Sequence, residues 1–139
     1  MEFDSKKYTN QPFVKKNTKP WGYEIIFTKT ELPYCGKILH IDAGKRISLQ
    51  YHDLKQETQM LVNGQCKLII DDHNQQLVEI EMEAYQGYNI LPGQKHRLQA
   101  ITDCDVFEVS TPEIGTTYRI EDDYQRPDET EAVRREERT

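Results

Sequence analysis

Gly44-Lys-Arg-Ile-Ser-Leu-Gln50-Tyr-His52-Asp-Leu-Lys-Gln-Glu57-Thr-Gln-Met-Leu-Val-Asn-Gly64 is the stretch that decides the fold. It holds two short runs that alternate apolar and polar residues, interrupted by Asp53-Leu54-Lys55-Gln56 and closed by Asn63-Gly64. Alternation at period two marks a half-buried strand. Gln50 and His52 lie two apart on the first run, so both side chains leave the same face. Glu57 opens the second run and returns a carboxylate toward the same point. Further along, Leu91-Pro92-Gly93-Gln94-Lys95-His96 brings a second imidazole directly after a tight turn. Imidazole nitrogen, carboxylate oxygen and amide oxygen suit a divalent first-row ion, and four such ligands leave positions free for water or substrate. Singly, each of these residues reads as a satisfied polar group. As a set with this spacing, Gln50, His52, Glu57 and His96 predict a metal site.

The same pattern continues on both sides. Strands are expected at Tyr23–Thr28, Lys37–Asp42, Ile47–His52, Thr58–Val62, Cys66–Asp71, Leu77–Glu81, Tyr88–Leu91, Arg97–Ile101, Val106–Ser110 and Thr117–Ile120. Asn63-Gly64, between Met60-Leu61-Val62 and Lys67-Leu68-Ile69-Ile70, is the strongest hairpin signal. No segment of residues 21–120 keeps a 3.6-residue period, so the chain reads as an all-β sandwich or barrel. Before it, residues 1–20 form a polar, Lys-rich extended arm. After it, residues 121–139 form a charged tail whose Asp122-Asp123 and Arg134-Arg135-Glu136-Glu137-Arg138 read as a solvated face.

A chain of 139 residues is long enough to bury one core. Its net charge of -6 disfavours nucleic acid and anionic membranes, which attract basic surfaces. There is no apolar run of spanning length and no signal-peptide core at the N-terminus. Cys35, Cys66 and Cys104 are widely spaced and form no C-x-x-C pair, so they read as reduced thiols in a cytoplasmic protein.

The spacing of Gly44, Gln50, His52, Glu57 and Gly64 resembles the first cupin motif, with Gln in the slot of the first His, and Gly93-Gln-Lys-His96 resembles the end of the second. Gln50 narrows the match to the C-terminal cupin domain of type II mannose-6-phosphate isomerases. Lys19-Pro-Trp21-Gly22, Lys95-His96-Arg97-Leu98 and Arg119-Ile-Glu121-Asp122-Asp123-Tyr124-x-Arg126 agree with that family too. Asp53, Leu54, Thr58 and Gln59 stand where the family usually carries further histidines and aromatic character.

The resemblance implies a double-stranded β-helix, or jelly-roll barrel, that binds a divalent metal, zinc first, with cobalt, manganese, iron or nickel as alternatives. It implies an aldose–ketose isomerase converting mannose 6-phosphate to fructose 6-phosphate, and a homodimer. Lys37 and Arg46 stand where the family has basic residues. Period-two registry from Gln50 points Arg46 toward the ligand face, so Arg46 and Lys37 are the catalytic candidates, and both join Arg119 as candidates for substrate binding. Two other readings stay open: a sugar or sugar-phosphate binding cupin without turnover, and a metal-dependent oxidative cupin of the dioxygenase type.

Overall fold

The computed structural model describes residues 1–74 and 76–138. Each run of alternating residues becomes a strand, and Lys15–Lys19 adds one more: β1 (Lys15–Lys19), β2 (Gly22–Ile26), β3 (Cys35–Ile41), β4 (Leu49–His52), β5 (Glu57–Asn63), β6 (Cys66–Asp71), β7 (Leu77–Glu81), β8 (Gly87–Ile90), β9 (His96–Ala100), β10 (Cys104–Ser110) and β11 (Thr117–Glu121). They form a six-stranded sheet in the order β1-β2-β3-β10-β5-β8 and a five-stranded sheet in the order β11-β4-β9-β6-β7. All the ladders between named strands are antiparallel. This is the jelly-roll barrel that the resemblance implies. No helix among the described residues is long and apolar enough to cross a membrane.

Asn63-Gly64 makes the expected turn, but the strands it joins do not pair. β5 is bonded to β10 and β8, whereas β6 is bonded to β7 and β9, so the chain crosses here from one sheet to the other. The crossing lets Leu61 on one side and Cys66 and Leu68 on the other face a single core. Gly64 makes it possible, with φ at +81° and an added Cβ falling 2.1 Å from the Asp103 carbonyl oxygen. The true hairpin comes later, where β6 turns back into β7 with Asp71 opposite Leu77.

The interior is divided along the strand axis. At one end Ile41, Leu61, Leu68, Leu98 and Val106 are packed out of solvent. At the other end the inward positions are polar or charged: Glu24 on β2, Lys37 on β3, Glu57 and Gln59 on β5, Glu108 on β10. The register aligns Glu108 with Lys37 on one side and with Gln59 on the other, so one row across the sheet is polar.

Both ends of the chain join this body. β1, within the segment expected as an arm, is an edge strand paired to β2 from Lys15↔Ile26 to Lys19↔Gly22. The charged tail returns over the mouth of the barrel and ends in α1 (Glu131–Arg138), whose Arg134 and Arg138 are buried. The expectation of a fully solvated tail therefore fails for these two residues. Their guanidinium groups meet backbone carbonyls instead of an apolar face: Arg138 Nη2 donates to Thr28 O at 3.2 Å, and Arg134 Nη2 to Ile114 O at 3.0 Å.

Gly64→Ala should test the crossing. Gly44→Ala meets nothing within 4 Å at φ +77°, and should lose only about 1–2 kcal/mol to left-handed backbone strain. Gly64→Ala adds a backbone clash, so urea melts should show the larger loss there; equal losses would contradict the close packing.

Candidate metal centre

β4 brings Gln50 and His52 to the polar end of the barrel, and β9 sets His96 directly opposite Gln50. The turn after β4 is held by Asp53, whose Oδ1 accepts from Thr116 N at 2.8 Å. Glu57 then enters as the first residue of β5. One atom each from His52, Glu57 and His96 lies within 4.8 Å of the others, and all three residues are buried. His96 Nε2 is 3.0 Å from Glu57 Oε1, and His52 Nε2 is 3.7 Å from Glu57 Oε2.

The far sides of the two rings define what the near sides offer. His96 Nδ1 is 2.9 Å from the Gln94 carbonyl oxygen, which only accepts, so Nδ1 carries the proton and Nε2 presents a lone pair to the site. His52 Nδ1 is 2.8 Å from Thr117 Oγ1. His52 Nε2 and His96 Nε2 are buried without a hydrogen-bond partner, and Glu57 Oε2 beside them is met by Lys55 Nζ at 3.1 Å. Buried polar atoms left unpaired are costly, and two imidazole nitrogens converging on one carboxylate need an explanation. A divalent cation supplies one, because this donor set is of the kind that holds such an ion, and each ring is oriented by a bond at its other nitrogen. Gln50 lines the same pocket, its Oε1 accepting from Ser48 Oγ at 2.7 Å.

Around these residues lies a ring of buried charge. Lys55 Nζ sits 3.1 Å from Glu57 Oε2, 3.0 Å from Glu108 Oε2 and 3.5 Å from Glu113 Oε1. Lys37 Nζ is 2.5 Å from Glu113 Oε1, 3.5 Å from Glu24 Oε2 and 3.6 Å from Glu108 Oε2. Glu24 is also met by Lys19 Nζ at 3.7 Å, so the four carboxylates face three ammonium groups. Burial alone would discharge the lysines, yet the glutamates hold Lys37 and Lys55 above their ordinary range. Burial likewise favours neutral carboxyls, but Lys55 holds Glu57 well below its ordinary value, and Lys37 and Lys55 do the same for Glu113. Glu108 goes the other way: burial and the charge of Glu57 raise it. Burial pushes the His52 imidazole down to about 4, so it is neutral and able to ligate.

Lys37 and Arg119 line the pocket with Gln50, His52 and Glu57, so the structure brings these candidates together. Lys37, held protonated by three carboxylates, is a fixed positive charge and not a proton acceptor. Arg119 Nη2 reaches Glu129 at 3.0 Å and its Nε is unpaired. Arg46 is turned out of the site. Its guanidinium bonds Asp123 at 2.7 and 2.8 Å and Glu121 at 3.3 Å on the surface. The period-two argument fails because regular strand begins only at Leu49, and Ile47, Ser48 and Leu49 are all buried in succession.

Lys55, Glu108, Gln59 and Glu113 were not picked out from the sequence. Two of them carried a signal: Glu108 follows Cys104 and Val106 at period two, and Gln59 follows Glu57, so both had to point inward. Lys55 and Glu113 lie in connections, where no period places a side chain.

The family described as Mannose-6-phosphate isomerase C-terminal matches residues 6–129. No curated protein matches the sequence at a significant level. Among solved structures, an oxalate decarboxylase from Lactobacillus farciminis superposes with a TM-score of 0.69 at 19% identity, over 82% of this chain and 37% of that one. The capsular polysaccharide assembling protein CapF from Staphylococcus aureus gives 0.60 at 17% identity, over 91% and 34%. KdgF from Halomonas sp. gives 0.61 at 12% identity, over 80% and 94%. The chain thus spans about a third of the length of the first two. At these identities the likeness shows the fold.

Glu113→Gln should test the charged ring. The folded carboxyl lies below its ordinary value of 4.5, so its contribution is present above that pH and lost as pH falls through the lower folded value. The variant should be less stable at pH 7 by about 3 kcal/mol, because Lys37 and Lys55 lose a shared partner. The gap to wild type should narrow below about pH 4. A gap independent of pH would contradict the ion pairs.

Proposed function

The chain belongs to the mannose-6-phosphate isomerase C-terminal family of cupins, and on that premise we propose a metal-dependent aldose–ketose isomerase that converts mannose 6-phosphate to fructose 6-phosphate. The observation that carries this reading is the convergence of the unpaired His52 Nε2 and His96 Nε2 on the Glu57 carboxylate inside a pocket ringed by lysines and glutamates. His52, Glu57 and His96, with Gln50 as fourth ligand, would hold the ion, zinc being the first choice for this donor set. A divalent ion bound there would polarise the sugar carbonyl and stabilise the charge that develops on its oxygen.

The remaining chemistry falls to the side chains. The reaction removes the proton from C2 of the open-chain sugar and delivers one to C1, with the hydroxyl proton passing from O2 to O1 in the same direction, so no oxidant enters. Glu108 is the best proton carrier of the ring, because its carboxyl alone among the four is shifted up toward neutrality while Glu24, Glu57 and Glu113 are shifted down. Lys55, between Glu57 and Glu108, remains a cation that steadies enediolate charge. Arg119, at the pocket mouth with an unpaired Nε, is the group for the phosphate. Arg46, tied to Asp123, takes no part.

A sugar-phosphate binder without turnover is the second reading. It is favoured by the engagement of every buried acid of the ring by Lys37 or Lys55.

Coupled detection of fructose 6-phosphate, with the protein loaded with Zn, Co or Mn, should show metal-dependent turnover. Glu108→Gln should lower kcat by at least about 100-fold with metal content unchanged, and Arg46→Ala should behave as wild type. Absence of turnover on every hexose phosphate would overturn the isomerase, and thermal stabilisation by sugar phosphate in that case would establish the binder.

A further inference from the structure

One buried chain of contacts runs from the C-terminal helix into the candidate metal centre. Arg134, 2% exposed, leaves α1 and donates from Nη1 to Thr117 Oγ1 at 2.8 Å. Thr117 opens β11 directly opposite His52 on β4, and the same Oγ1 lies 2.8 Å from His52 Nδ1. The other arm of the guanidinium, Nη2, donates to Ile114 O and Gly115 O. These carbonyls only accept, so the guanidinium is fixed at both ends and cannot follow a rotating hydroxyl. A guanidinium only donates, so Arg134 occupies one lone pair of Thr117 Oγ1 and sets the position of that oxygen. The oxygen in turn holds the far nitrogen of the His52 ring, which leaves Nε2 as the atom facing Glu57.

We propose that Arg134 is a positioning residue for the metal centre, acting on His52 through Thr117, so that docking of the C-terminal helix and metal affinity are coupled. This rests on the metal reading given above. At eight residues, α1 is too short to be stable alone. Its docking depends on polar contacts: Arg134 as described, Arg138 to Thr28 O and Cys35 Sγ, and Glu137 to Lys19 at 3.0 Å. Coupling between two sites is reciprocal, so an ion that fixes His52 also strengthens the seat of the helix.

The test is zinc affinity, measured by competition with a chelating dye, for wild type, Arg134→Ala, Thr117→Val and the double variant. Partners that orient a ligating His are worth roughly 10–100-fold in metal affinity. Each single change should cost that much, and the double variant should be no weaker than the weaker single one. Arg134→Lys, which keeps a donor, should recover part of the loss and serves if Arg134→Ala does not fold. Wild-type affinity in Arg134→Ala, or losses that multiply in the double variant, would overturn the proposal. A second readout needs no metal: in the metal-free protein, Arg134→Ala should move the imidazole 15N resonances of His52 and leave those of His96 in place. If wild type binds no zinc, the metal reading fails, and the His52 resonances alone decide the relay: movement supports it, no movement overturns it.

Discussion

A charged or polar atom removed from water must find a partner within the protein, and the polar end of this barrel is arranged around that requirement. Lys55 meets it by sitting within hydrogen-bond reach of Glu57 and Glu108 at once, and Lys37 by contacts with Glu24, Glu108 and Glu113. With these pairs made, the two imidazole Nε2 atoms and Gln59 Oε1 still lack a hydrogen-bond partner there. The ion pairs therefore shape the metal centre as well as steady it. They keep Glu57 ionised, and burial keeps His52 neutral, which are the protonation states that ligation needs.

The jelly roll makes this possible by mixing two kinds of interior on the same strands. β10 carries Cys104 and Val106 inward at its apolar end and Glu108 inward at the other. β3 likewise carries Ile41 and Leu39 and then Lys37. The apolar half supplies the burial that holds the sheets together, and the polar half spends part of that stability on chemistry. The mouth over the polar half is narrowed by the tail, through α1, so residues distant in sequence share one pocket: Lys19, Arg119, Arg134 and Glu137 all line it.

Much of this was legible in the residues. Cys66–Asp71 and Leu77–Glu81 have the expected bounds because strict alternation and a turn at Asp72-His73 leave little choice of register. β1 gave no signal, since Lys15-Lys-Asn-Thr-Lys19 has no apolar face and becomes a strand only because β2 offers an edge to pair with. The Asn63-Gly64 turn was visible, but not that it joins two sheets, because a local turn signal carries no information about partners. Inward positions on regular strands, His52 and Glu57 above all, follow from period two. Arg46 did not, because the irregular residues before Leu49 shift the face. Arg134 and Glu113 could not be placed from the sequence, since their positions depend on long-range docking of a helix and a loop.

The central claim is that His52, Glu57 and His96 form a metal site. Anomalous diffraction at the zinc edge, from crystals grown with zinc, tests it most directly. A single strong peak is predicted about 2.0–2.2 Å from His52 Nε2, His96 Nε2 and a Glu57 carboxylate oxygen. A site without a peak, or zinc bound only at surface carboxylates, would contradict the account.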